Sequence, residues 1–317
     1  MEDETCCNNG CNNCVLDKLM LLEKSNHDDK SNVLESKSYQ TFKVKEIKRI
    51  AIDVYDIKFK YAESFNSGEV ILKVPPTSFL MLRTKKDFSR TINPVFEEYH
   101  KQFDSFFEDH WNKNTTKHDT EMKDEYFSRK YTPYSVDKED LSFQIILKLE
   151  RGGRMSEYFQ TLHIESKTMW KGPFESFEYS PNASTTLLIF TQGICLTSTY
   201  MLIESILNTE DDETKVILVS CFQNIGKILF RNRIHSFNSY WNFQSTTYLS
   251  KPCESFDQEL KYKERIYNRR LQTEDIDDLY KIVDPKTTNV LICGRESFVN
   301  FLQLSLGKHS YKNVNIL

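Results

Sequence analysis

The sequence predicts two domains, an antiparallel β-barrel followed by an α/β domain built on a parallel sheet. Two patterns carry this. From Thr41 onward apolar residues recur at every second position in short runs separated by turn residues, as in half-buried antiparallel strands. The last third instead alternates short, wholly apolar runs with helical stretches, the rhythm of buried parallel strands joined by crossover helices. At 317 residues the chain is long enough for two cores of ordinary size. The pattern places a cysteine-rich segment and linker at 1–38, the barrel at 39–182 and the α/β domain at 183–317.

The first block crowds Cys6, Cys7, Cys11 and Cys14 into nine positions, with Gly10 and asparagines between them. Such spacing suits zinc or an iron–sulfur centre, and equally a flexible thiol-bearing tail. Residues 23–38 are polar and read as a linker. Phe42, Val44 and Ile47, then Val54, Ile57, Phe59 and Tyr61, alternate with charged residues; Asn66-Ser67-Gly68 breaks the run. Val70–Val74 and Phe79–Arg83 continue the sheet across Pro75-Pro76. Asn93-Pro94 is a helix start, and Phe96, Tyr99, Phe103, Phe106 and Phe107 follow at helical spacing. The nearby His100, His110 and His118 lack ligand spacing and read as packing or surface residues.

The run Arg129-Lys130-Tyr131-Thr132-Pro133-Tyr134-Ser135 joins a guanidinium suited to phosphate, an aromatic face with a hydroxyl, and a backbone pinned by proline. The strand Phe143–Leu149 carries Ile146 and Lys148; an unpaired lysine in so apolar a strand must face solvent or an anion. Gly152-Gly153-Arg154-Met155-Ser156 opens a helix whose free backbone N–H groups suit an anion. In the second half Leu187–Phe190, Val216–Val219 and Val290–Gly294 are buried strands, and Tyr200–Leu207 and Ser297–Leu306 are helices.

A net charge of −4 gives no global basic field, which argues against nucleic acid. No apolar run is long enough for a membrane span, and the acidic start Met1-Glu2-Asp3-Glu4 is unlike a signal peptide. Reduced thiols and an intracellular site, in the cytoplasm or on an organelle surface, are expected.

The pattern Arg-x-Tyr-Thr-Pro-x-Ser at 129–135 resembles the flavin signature of the ferredoxin reductase superfamily, in particular its NADH-cytochrome b5 reductase branch. The Gly152–Ser156 turn, the Gly172-Pro173 strand and Cys293-Gly294 follow in that family's order, and the first block resembles an oxidoreductase-like cysteine segment. Gly172-Pro173-Phe174-Glu175 resembles the strand that closes the family's first domain, and beside the family pattern about 85–125 is an insertion. The resemblance implies an FAD-binding barrel and a nucleotide-binding α/β domain. It implies FAD held by Arg129, Lys130, Tyr131, Thr132, Ser135, Ile146, Lys148, Gly153, Arg154, Met155, Ser156 and Thr197, and NADH bordered by Gly193, Cys293 and Gly294. Electrons would pass to cytochrome b5 or another haem protein, with no catalytic residue beyond the flavin. The chain departs from the family at Thr77 and Glu175, where glycines are usual. In the loop Thr191–Ser198, where the family has Gly-Gly-Thr-Gly-Ile-x-Pro, Gln192, Ile194, Cys195 and Ser198 stand at changed places. Arg295 and Glu296 replace prolines, and Leu317 an aromatic end. Thr247–Lys251 has no acid to repel a 2′-phosphate, so NADH and NADPH both stay open. The rival reading is a flavin-binding or structural adaptor with a degenerate nicotinamide site; a third makes the N-terminal cysteines an electron exit.

Overall fold

The computed structural model describes residues 31–63, 70–85, 88, 91–102, 126–252, 256, 260–309, 311 and 313–317. The N-terminal cysteines, Phe103, Phe106, Phe107, His110 and His118 lie outside these. Strands β1 (Ser31–Asn32) and β4 (Val70–Ile71) pair in parallel as a small sheet of their own. The main antiparallel sheet has seven strands: β2 (Gln40–Ala51), β3 (Val54–Tyr61), β5 (Phe79–Lys85), β6 (Tyr126–Tyr131), β7 (Ser135–Asp137), β8 (Ser142–Lys148) and β9 (Lys167–Phe174). Their order is β6-β5-β9-β2-β3-β8-β7.

Alternation makes these strands, as β3 shows. Val54, Tyr55, Ile57, Phe59 and Tyr61 are buried, while Lys58 and Lys60 reach outward to Asp140. The core is aromatic: Phe143 packs within 5.0–5.3 Å, ring to ring, of Phe42, Phe59 and Trp170. The Trp170 indole N–H is satisfied by Thr168 Oγ1 at 2.8 Å, so the largest buried side chain leaves no polar orphan.

The expected barrel is not closed by hydrogen bonds, because β6 and β7 are the two edges of the sheet. Only Thr132, Pro133 and Tyr134 separate them. A link that short spans at most about 14 Å from Tyr131 to Ser135, so the sheet must curl until its edges nearly meet.

In the insertion, Asn93 caps a turn at Pro94–Phe96 that continues helically through 97–102. Its side chain accepts from Val95 N and donates to Leu162 O at 2.7 Å. Phe96 and Tyr99 are buried in the core of the antiparallel sheet.

The second sheet is parallel throughout: β10 (Thr186–Gln192), β11 (Lys215–Phe222), β12 (Phe243–Leu249), β13 (Ile266–Tyr267), β14 (Thr288–Cys293) and β15 (Asn313–Ile316), in the order β13-β12-β11-β10-β14-β15. Helix α1 (Arg154–Gln160) belongs to the first domain; α2 (Leu196–Asn208), α3 (Arg231–Phe237), α4 (Thr273–Tyr280) and α5 (Glu296–Leu306) flank the parallel sheet. One apolar layer joins α2 and α3 to the sheet, and a second joins α4 and α5 to its other face. Val54 and Ile146 of the antiparallel sheet are buried in the α2/α3 layer, so the two domains share a core at their junction. Among the described residues no helix is long and apolar enough to cross a membrane.

Candidate functional site

The 129–135 run is the link between the two edges of the curled sheet. Along β6 the residues alternate faces, with Arg129 and Tyr131 opposite Leu82 and Leu80 of β5 and Lys130 opposite Met81. Tyr131 sets its ring edge against Phe159 of α1 at 5.4 Å and against Trp170 at 5.9 Å. Burial pushes its phenol well above the ordinary range, with Arg129 opposing and Glu150 adding, so both lie close to it. The hydroxyl therefore keeps its proton at neutral pH and can donate. Lys130 lies 4.4 Å over the Phe79 ring, and Arg129 donates to Ser128 O. Among the described residues neither cation has a carboxylate partner.

The Tyr131–Phe159 contact brings α1, and with it the Gly152–Ser156 turn, against the end of β6. Gly152 takes φ +64°, and a side chain on Gly153 would approach Ser156 Oγ at 3.2 Å and Glu150 O at 3.3 Å. The turn is thus drawn tight on itself: Ser156 Oγ accepts from Glu150 N at 2.8 Å. Met155 and Ser156 are buried, Met155 in the barrel core, whereas Arg154 is exposed and unpaired among the described residues. Arg129 thus shares the Tyr131 face of β6, Lys130 takes the opposite face, and Arg154 stands at the start of α1.

Two expected contacts have other engagements. Lys148, at the end of β8, pairs with Asp53 at 3.5 Å, and Lys227 of the second domain holds the other oxygen of that carboxylate at 3.4 Å. The lysine has the anion its strand demanded, but a protein one. Ile146 is 4% exposed, packed at the domain junction. Just past Pro133, Tyr134 donates to Asp56 Oδ2 at 2.7 Å and sets its ring 5.1 Å from Phe230 and 6.3 Å from Tyr200, both of the second domain. Thr132 and Ser135 are part-buried on either side of this contact.

The loop after β10 meets β8 from the other domain. Gly193 takes φ +59° with open space where a side chain would stand. Thr197 is buried and its hydroxyl donates to Ile194 O at 2.9 Å, within the turn. Gln192 Oε1 accepts from Arg295 N at 3.2 Å, tying the loop to the residues after β14. A side chain on Gly294 would collide with Phe298 and press on Gln192 Cβ, so close packing within the protein already explains that glycine. The Cys195 thiol lies within interacting range of the Cys293 sulfur, and Ser198 Oγ lies 3.2 Å from that sulfur. Those two neighbours hold the Cys293 thiol below its ordinary range against the effect of burial, whereas the Cys195 thiol is pushed up, first by its Cys293 neighbour and then by burial.

Residues 115–179, which include both the 129–135 run and the glycine turn, match the model of an oxidoreductase FAD-binding domain. Over 170 residues the chain is 29% identical to a human NADH-cytochrome b5 reductase-like protein and 31% identical to that of Mus musculus, covering 54% of this chain and 54% of each relative. The fold resembles the cytochrome b5 reductase domain of Ulva prolifera nitrate reductase, with TM-score 0.66, 17% identity and coverage of 91% of this chain and all of that one. The chain resembles NADH-cytochrome b5 reductase-like proteins over about half its length and shares the fold of a cytochrome b5 reductase domain. It spans about half the length of the curated relatives it matches.

The departures from the family now have a structural account. Thr77 adopts φ +66°, the left-handed geometry a glycine takes without strain, and its hydroxyl donates to Phe177 O at 3.1 Å. The turn is kept with another residue in it. Glu175 is not at positive φ, so no strain arises there; the demand falls on Gly172, at φ +139°. Leu317, in place of an aromatic end, packs into the junction layer with Ile146, Tyr134 and Ile194. Sequence reasoning missed an acid at β12. Asp275 reaches Tyr248 from α4, gripped by Arg269 at 2.6 and 2.7 Å, and Tyr248 stacks on Tyr267. The signal was the capping box formed by Gln272 and Asp275. On β2 the bases are paired within the chain: Lys45 with Glu165, Lys48 with Glu46 and Arg49 with Glu98.

Proposed function

We propose that the chain binds FAD along the end of β6 and the turn before α1, and passes electrons from NADH to a one-electron acceptor such as cytochrome b5 or another haem protein inside the cell, in the cytoplasm or on an organelle surface. The carrying observation is the Tyr131–Phe159 contact, which packs α1 and its glycine turn against the end of β6, where Arg129 and Lys130 have no carboxylate partner among the described residues. The residues fit the group: guanidinium and ammonium groups suit a diphosphate, and the tight Gly152-Gly153 turn lets a phosphate approach the backbone. When bound, FAD supplies hydride acceptance and single-electron release. The protein's part is positional. Arg129 and Arg154 hold the diphosphate, the protonated Tyr131 hydroxyl donates, and the buried Ile146 and part-buried Tyr134 exclude water from the junction. No side chain has to act as acid or base.

A second reading, a flavin-binding adaptor that no longer admits nicotinamide, draws support from the Gln192–Arg295 and Cys195–Cys293 contacts that bridge the two nucleotide loops. Anaerobic titration of the purified chain decides between them. Yellow protein bleached by NADH supports the reductase, with NADPH as the arm for cofactor preference. Yellow protein that neither nucleotide bleaches supports the adaptor. Colourless folded protein that takes up no added FAD overturns both.

A further inference from the structure

The two cysteines at the junction come from separate parts of the chain. Strands β10 and β14 are neighbours, with Thr191 opposite Cys293. The tight turn Gly193–Cys195 then brings Cys195 beside Cys293, near enough for the two thiols to act on each other. The Ser198 hydroxyl touches both residues, 2.7 Å from the Cys195 backbone carbonyl oxygen and 3.2 Å from Cys293 Sγ. Both cysteines are free thiols; Cys195 is part-exposed and Cys293 is 8% exposed, so a small oxidant reaches the pair from the Cys195 side. The third described free thiol, Cys221 on β11, differs: burial pushes it up to about 12, and it has no partner thiol among the described residues.

We propose that Cys195 and Cys293 are a redox-convertible thiol pair, oxidised by a peroxide to a disulfide that fastens the turn after β10 to the end of β14. In the first step the Cys293 sulfur attacks one peroxide oxygen, the O–O bond breaks, and water leaves as Cys293 becomes a sulfenic acid. In the second the Cys195 thiol loses its proton and attacks that sulfur; the S–O bond breaks, the S–S bond forms, and a second water leaves. Two thiols supply the two electrons that reduce the peroxide, and a dithiol reverses the change. Cys293 is the attacking sulfur because the neighbours around it favour its thiolate, while Cys195 holds its proton and resolves. The bond ties shut the opening between the two loops. That consequence for nucleotide entry rests on the reading of the site above; the bond itself does not.

The test uses the full native chain treated with hydrogen peroxide, alkylated and digested with trypsin. The expected product is the Cys195 peptide joined to the Cys293 peptide, abolished by a dithiol. In Cys195→Ser the link is lost and a sulfenic acid at Cys293 is trapped by a dimedone probe; in Cys293→Ser neither product forms. Oxidised Cys293 found as sulfinic acid in the native chain overturns the proposal, as does a bond from either cysteine to Cys221, Cys253 or an N-terminal cysteine. Because no nucleotide or flavin is needed, a failed cross-link and a failed bleaching experiment are separate results.

Discussion

At the scale of single residues, charge and backbone geometry explain most of what the first domain requires. Asp140 is held by Lys60 and Lys58, which lower its carboxyl from an ordinary 3.8 to about 2. Its stabilisation is therefore complete above about pH 4 and is lost as the pH falls through about 2. Asp140→Asn should cost about 0.5–1 kcal/mol at neutral pH, since the pair is partly screened by water, and should flatten the acid limb of the stability curve. Chemical denaturation at several pH values between 2 and 7 checks this; an acid limb as steep as that of the native chain would exclude it. Glycine matters where a side chain has no room: at Gly172 it would meet Leu80 Cδ2 at 2.9 Å and Phe79 O at 3.2 Å. Gly172 was legible as part of a family strand, yet the demand was expected at Glu175, because a pattern of residue types does not say which position turns.

At the scale of elements, the strands with strict alternation and the helices with an apolar face could be read directly. Among those not read were α3, where Arg, Asn and Ser outnumber the apolar residues, and β13, which at two residues is too short to show a period. The stretch after Asn93 was read correctly as a helix start, but its purpose became visible only in the fold. Phe96 lies 4.5 Å, ring to ring, from Tyr55, and both are fully buried. Phe96→Ala should cost about 3–5 kcal/mol through lost burial and the cavity left behind. Val95→Ala, one residue away and 40% exposed, should change stability by less than about 0.5 kcal/mol. Urea unfolding of the two variants tests the contrast, and equal losses would mean that this segment does not seat in the barrel core.

At the scale of the whole molecule, two domains that sequence periodicity separated cleanly are joined in ways it could not show. Asp53 at the β2–β3 turn links Lys148 to Lys227, and Tyr134 reaches Tyr200 and Phe230 across the junction. Such contacts join positions 66 to 174 residues apart, and no local pattern encodes them. A double-mutant cycle of Tyr134→Ala and Phe230→Ala should show about 0.5–1.5 kcal/mol of coupling. Strict additivity would place the two rings in independent environments. The cations Arg129, Lys130 and Arg154 were legible from residue types, but the packing of α1 against the end of β6 needed the Tyr131–Phe159 contact.

The near-meeting of β6 and β7 carries a further consequence. Each is an outermost strand, so part of its main-chain amide row has no neighbouring strand to bond to. The chain has placed its most distinctive heptad on this slit, where whatever settles there would shield both rows at once. Amide deuterium uptake along 126–137 should then slow together on both sides of Pro133 when the slit is filled, a signature independent of colour or turnover.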